Sequence, residues 1–180
     1  MTRRLEIEPA GPPPDAACPL LPGELSCLNA TLRRTTRQLG ALYDEALAPT
    51  GLKATQFGLL AQIEQAGGEA GAPLHTLAER LALHVSALTH ALRPLLRDGL
   101  VALRPGAADK RVRQASLTEA GRRKLGEGLR LWAMVNGKVE AALGHDAAAQ
   151  LRALARRVES AEFRAAYRAA PAPGEAGPPG

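Results

Sequence analysis

Between Leu74 and Gly121 the apolar positions change period twice. Leu77, Ala78 and Leu81, then Leu88, Leu92, Leu95 and Leu96, recur at helical spacing and predict two helices, Leu74–Leu83 and Val85–Asp98. Only Leu83 and His84 stand at the join, so the chain must turn a tight corner there, a helix-turn-helix layout. Gly99 ends the second helix, because glycine tolerates the left-handed conformation a helix C-terminus needs. Pro94 lacks an N–H and should bend that helix past its first turns, and the helix is read as continuous through it. An apolar run Leu100–Leu103, a turn-rich stretch Pro105–Lys110 and a returning run Val112–Leu117 then predict a two-stranded hairpin, or wing.

The flanks are helical. From Gly23 to about Pro49, Leu25, Leu28, Leu32, Thr35, Leu39, Leu42 and Ala46 step by alternating 3 and 4, the period of a coiled-coil seam. Such a seam, outside the helix-turn-helix unit, suggests a homodimer; packing within one chain is the plainer alternative. Thr55 is the expected N-cap of a second helix carrying Phe57, Leu60 and Ile63, with a loop at Gly67–Pro73 behind it. A fifth helix, Glu119–Leu143, carries Leu125, Leu129, Trp132, Val139 and Leu143 on one face and stops at Gly144. Asp146 should cap a sixth, where Leu151, Leu154, Val158 and Ala161 recur. Of 14 prolines, six lie in residues 1–22 and four in 169–180, marking two flexible or disordered tails. The organisation expected is therefore 23–53 first helix and dimerisation, 54–121 winged helix-turn-helix, and 122–168 C-terminal dimerisation helices. The fold class is mainly α, with a long-helix platform and a two-stranded wing.

Charge says what the middle unit touches. From Ser86 to Arg113, Arg93, Arg97, Arg104, Lys110, Arg111 and Arg113 face only Asp98 and Asp109, a balance of +4 within a whole-chain net of +5. Cations on a helix and the hairpin beside it are the footprint of a nucleic-acid binder, whereas a basic run alone would be an ordinary solvated face. A winged helix that binds only protein would want a neutral or acidic recognition face. The helix at Val85–Asp98 should read base edges in the major groove of double-stranded DNA through Ser86, Ala87, Thr89, His90 and Arg93. Arg104, Lys110, Arg111 and Arg113 should reach the backbone or the minor groove.

Catalytic groups are missing. Ser86 and His90 stand i, i+4, but no nucleophile elbow, oxyanion loop or orienting carboxylate accompanies them. His75, His84, His90 and His145, with Cys18 and Cys27, show no metal-ligand spacing, so neither enzyme chemistry, metal nor cofactor is expected. No apolar run is long enough for a membrane span and no secretion signal is evident, so a cytoplasmic protein is expected. Aromatics make up 3% of the chain, leaving Leu, Ala and Val to build the core.

The string DKRVRQASLTEAG resembles the wing signature of the MarR family of winged-helix regulators, through Asp109, Arg111, Leu117, Thr118 and Gly121. Leu42–Ile63 resembles the end of that family's first helix and its second helix, and the likeness runs over roughly Leu25 to Arg168. Ala82 departs from the glycine often found at the corner. The resemblance implies a dimeric repressor bound to an operator, with Asp109 steering the guanidinium of Arg111. It implies release by a small phenolic or aromatic-acid effector, for which Arg33, Arg37, Tyr43, Phe57 and Trp132 come from the right helices; Trp132 reads as a lid or as core, and core is preferred. Some members sense peroxide through a cysteine near Cys27, where a helix N-terminus favours a thiolate. A buried structural thiol is the alternative reading of Cys27, and it is preferred.

Overall fold

The computed structural model describes residues 27–106 and 109–170. The proline-rich stretches 1–22 and 171–180, Gly23, Leu25 and Cys18 lie outside the described residues. Two compact units divide the chain after Gln38. In the first, residues 28–38 form the beginning of helix α1, Leu28–Leu47, whose leucines Leu28 and Leu32 are exposed in the single chain.

The second unit carries the remaining elements. The end of α1 runs into a 3-10 turn, Ala48–Thr50, and then come α2 (Ala54–Gly67), β1 (Ala72–Pro73), α3 (Leu74–Arg80), α4 (Val85–Arg97), β2 (Val101–Pro105) and β3 (Arg113–Leu117). Helices α5 (Glu119–Leu143), α6 (His145–Glu159) and α7 (Ala161–Ala169) follow. The hairpin of β2 and β3 pairs Val101 with Leu117, Leu103 with Ala115 and Pro105 with Arg113. β1 adds a third strand on the other edge of β3, where a loop was expected from Gly67 to Pro73. Leu47, Leu60, Ile63, Leu77, Leu88, Leu92 and Leu95 are completely buried, so the core sits beneath α4 and the sheet. Each such leucine contributes roughly 2 kcal/mol by leaving water.

Helices α3 and α4 end by the same device. At the end of α4 the N–H of Gly99 donates to Leu96 O (3.1 Å) and that of Leu100 to Leu95 O (2.9 Å), with Gly99 left-handed at φ 68°. At the end of α3 the N–H of Ala82 donates to Glu79 O (3.1 Å) and that of Leu83 to Ala78 O (2.9 Å). Ala82 takes the left-handed place here at φ 50°, alone among the described non-glycine residues. These bonds end α3 at Arg80 rather than Leu83. α4 runs unbroken through Pro94, as expected.

Three caps differ from expectation. α2 starts at Ala54, not after Thr55: the Gln56 side-chain Oε1 accepts from Lys53 N–H (2.9 Å), and Asp44 Oδ1 accepts from Ala54 N–H (2.6 Å) across the turn from α1. Asp146 sits inside the first turn of α6 without capping it; Gly144 precedes that helix. The predicted sixth helix breaks at Ser160, whose hydroxyl accepts from Phe163 N–H (3.0 Å) and starts α7. Along α5 only Leu125 and Val135 of the large apolar side chains are buried; Leu129, Met134 and Leu143 face outward.

Candidate nucleic-acid interface and effector cleft

α4 buries Leu88, Leu92 and Leu95, and this fixes which side chains it turns to solvent. Ser86, His90, Arg93 and Arg97 follow at i, i+4, i+7 and i+11, all exposed, in one stripe along the opposite face. Ala87 flanks the stripe, exposed. Thr89 lies at its edge, half-buried, its hydroxyl donating to Val85 O (2.8 Å). Arg97 continues the stripe and pairs with Asp98 (Nε to Oδ1, 3.0 Å), an exposed contact worth little. Sequence reasoning counted Arg97 as a cation without placing it among the readers; the spacing of 11 from Ser86 was the available signal.

The wing closes by Gly106 N–H donating to Val112 O (2.7 Å) and Val112 N–H to Asp109 O (3.0 Å). Asp109 Oδ1 accepts from the backbone N–H of Arg111 (2.8 Å). Its carboxylate therefore holds the turn rather than the Arg111 guanidinium, which makes no ion pair among the described residues; this corrects the expected steering. The cause is local: a short Asp side chain reaches the amide two residues on more readily than a distal guanidinium. Lys110, Arg111 and Arg113 are exposed. Strand register sets Arg113 opposite Pro105 and Arg104 opposite Gln114, on opposite faces of the hairpin. Arg104 lines a recess with Glu69, Glu119 and Arg122, apart from the tip.

The junction after the wing explains its motif. Thr118 Oγ1 accepts from Gly121 N–H (3.0 Å), capping α5, and donates to Gly99 O (2.7 Å). Thr118 N–H donates to Leu100 O (3.0 Å). Leu117 is buried in the core. One Leu-Thr-x-x-Gly segment thus ties the wing, the end of α4 and the start of α5.

Within the second unit a cleft of about 350 Å³ opens between the end of α1, α2 and α5. Tyr43, Phe57 and Trp132 line it, together with Gln62, Gln65 and Gly58. Trp132 is 38% exposed, at the cleft rather than in the core. A Cβ on Gly128 would approach Phe57 within 2.7 Å, so glycine there lets α5 close on α2. Burial is the largest cause holding the Tyr43 phenol above its ordinary value, with the Glu140 carboxylate adding to it. Arg33 and Arg37 are exposed and belong to the first unit. Cys27 is also exposed and precedes α1, its carbonyl accepting from Thr31 N–H (2.9 Å), so in the single chain it is not a buried thiol.

Comparison with known proteins agrees with this geometry. The sequence model of the MarR family matches residues 52–112. The M. tuberculosis transcriptional regulator MosR, solved in complex with DNA, is 36% identical, with 74% of this chain and 97% of that one covered and a TM-score of 0.64. The chain belongs to the MarR family. A mutant E. coli MarR complexed with operator DNA is 26% identical, covering 78% and 98%, at a TM-score of 0.68. CouR from Rhodococcus jostii RHA1, solved with p-coumaroyl-CoA, shares the fold at 22% identity, covering 76% and 94%, TM-score 0.63. No curated protein matches the chain. MarR proteins are transcriptional regulators and not enzymes, and this chain is a DNA-binding transcriptional regulator of that family. No helix among the described residues is long and apolar enough to cross a membrane.

Proposed function

We propose that the chain is a dimeric, cytoplasmic repressor whose α4 enters the major groove of its operator and whose effector is a small aromatic molecule bound in the cleft at Tyr43. The exposed Ser86–His90–Arg93–Arg97 stripe carries the reading. Ser86 and His90 supply short donors and acceptors for base edges, with Ala87 and Thr89 beside them, while Arg93 and Arg97 reach bases or phosphates. Lys110, Arg111 and Arg113 extend the contact along the backbone from the wing, and Arg104, on the other face, contributes less.

Residues 54–121 form the DNA-binding domain; the first helix and residues 122–168 form the dimer platform. What supports a dimer is the apolar surface left bare in one chain. Leu28, Leu32, Leu151, Leu154, Val158 and Phe163 are each at least 40% exposed. A groove of about 520 Å³ along α1 and α5, lined by Leu42, Leu131, Met134 and Val135, is of the same character. A two-fold dimer implies a pseudo-palindromic operator with half-sites about one turn, ~10 bp, apart. Tyr43, Phe57 and Trp132 give the cleft aromatic walls, and CouR, with the same fold, holds p-coumaroyl-CoA.

The test is sequencing of genomic DNA crosslinked to the protein, followed by mobility shifts on the recovered fragment with Gly58→Leu alongside. Gly58 lines the cleft and a Cβ there meets nothing within 4 Å, so a larger side chain has room to start from this position and should narrow the cleft. Retained DNA binding with loss of effector release supports the proposal; an unenriched genome-wide signal ends it.

A further inference from the structure

Two of the cleft's polar groups, Tyr43 and Gln62, have fixed hydrogen-bond polarity. Glu140 Oε1 accepts from Asn136 Nδ2 (3.0 Å) and from Arg152 NH1 (2.7 Å). An ionised carboxylate only accepts, so the amide of Asn136 must turn its NH₂ toward Glu140 and its oxygen the other way. That oxygen takes the proton of the Tyr43 hydroxyl at 2.9 Å. Tyr43 has then spent its one donor, and what it can offer a ligand is an oxygen lone pair. Its raised pKa keeps the phenol neutral, as this requires.

Gln62 is fixed in the opposite sense. Its Oε1 accepts from Arg80 Nε (3.3 Å), and a guanidinium only donates, so the Gln62 NH₂ is left free to donate. Tyr43 thus presents an acceptor and Gln62 a donor beside Phe57 and Trp132, the Gln65 amide can serve as either, and no ionisable cation lines the cleft among the described residues. A carboxylate bound there would give up part of its water without gaining a partner charge from the lining residues.

We infer, building on the effector cleft proposed above, that the site selects a neutral planar aromatic that donates to Tyr43 and accepts from Gln62, such as a phenolic amide, aldehyde or ester, over the free aromatic acid. Asn136 and Glu140 are positioning residues: they touch no ligand and set the direction of the Tyr43 proton.

The matched probes are 4-hydroxybenzamide and 4-hydroxybenzoate, similar in size and different in charge. Trp132 is the chain's single tryptophan and lines the cleft, so its emission reports binding in the full-length protein. The amide should bind about tenfold tighter than the acid. Tyr43→Phe should weaken the amide by about fivefold, the loss of one hydrogen bond. Asn136→Leu frees the Tyr43 proton to donate and should shrink the preference, and Gln65→Arg, which brings a cation to the cleft wall, should shrink or reverse it. Equal or tighter binding of the acid to the parent overturns the selectivity and leaves the cleft standing. A preference unchanged in Asn136→Leu removes the positioning role. If neither probe perturbs Trp132 at millimolar concentration, the effector cleft itself is wrong and this inference goes with it.

Discussion

Gly121 packs its α-carbon against the carbonyl of Leu100, so closely that a Cβ at Gly121 would run into the Leu100 oxygen. That oxygen already accepts from the backbone N–H of Thr118 at 3.0 Å. It cannot retreat without breaking the tie between the end of α4 and the start of α5. Gly121→Ala should therefore behave as an overpacked site and cost about 1–3 kcal/mol, read as a lowered midpoint in urea with an unchanged slope. Thr118→Ala should cost more than an ordinary N-cap loss of ~1 kcal/mol, because Thr118 also holds Gly99. A parent-like midpoint for both would mean that the wing and α5 are not joined through this segment.

The corner before α4 makes the opposite prediction. Ala82 holds φ 50°, a conformation in which an L side chain crowds the following carbonyl at a cost of roughly 1–2 kcal/mol. Ala82→Gly should relieve part of this and raise stability by about 1 kcal/mol, less what glycine loses in unfolded-chain entropy. Thermal unfolding of the two proteins under one buffer decides it. A lower midpoint for the glycine variant would show that the left-handed corner is not strained.

Much of this fold is legible in the sequence. The 3-and-4 spacing around Leu88, Leu92 and Leu95 named the buried face of α4, and so its exposed one. The span Glu119–Leu143 with its stop at Gly144 was legible to the residue, although Thr118 was not read as its cap. What escaped was held by long-range partners. β1 is two residues with a proline, no strand by pattern, and exists because Ala72 and Pro73 pair with Ala115 and Gln114 of β3. The cap of α2 comes from Asp44 on another helix, ten residues back. Tyr43 and Asn136 are 93 positions apart, so nothing local announced that the cleft's polarity is set from α5. The break at Ser160 did have a signal, a serine N-cap with Glu162 behind it, hidden under an apolar repeat that runs across it.

The link from α5 to α6 should depend on pH. Hydrogen bonds from Asn136 first and Arg152 second hold the Glu140 carboxyl below its ordinary value of 4.5. A depressed carboxylate stabilises the fold above its unfolded value, and that contribution fades as the pH falls through the folded one. Glu140→Gln removes the group that titrates. At neutral pH the parent should be the more stable of the two. The gap should close as the pH drops below 4.5, measured as the difference in thermal midpoint across an acid series. A gap that stays constant to low pH would mean that the carboxylate contributes nothing through its charge.

The wing gives the most direct test of how DNA is held. Arg111 is exposed at the tip and free of any described ion pair, so its charge is available to a phosphate or to a narrow minor groove. Arg111→Ala should weaken operator binding by about 1–3 kcal/mol and lower the salt slope by about one. Asp109 acts on the backbone of the turn, with its oxygen 2.8 Å from the Arg111 amide nitrogen. An asparagine oxygen can accept the same bond, and it removes a negative charge from beside the DNA. Asp109→Asn should consequently bind as well as the parent or better, whereas Asp109→Ala, which loosens the turn, should bind more weakly. If the carboxylate instead steered the guanidinium on DNA, asparagine and alanine would be equally damaging. Titrating the three variants and the parent on operator and on random DNA across a salt series separates the two roles, and equal losses for Asp109→Asn and Asp109→Ala would return the acid to the arginine.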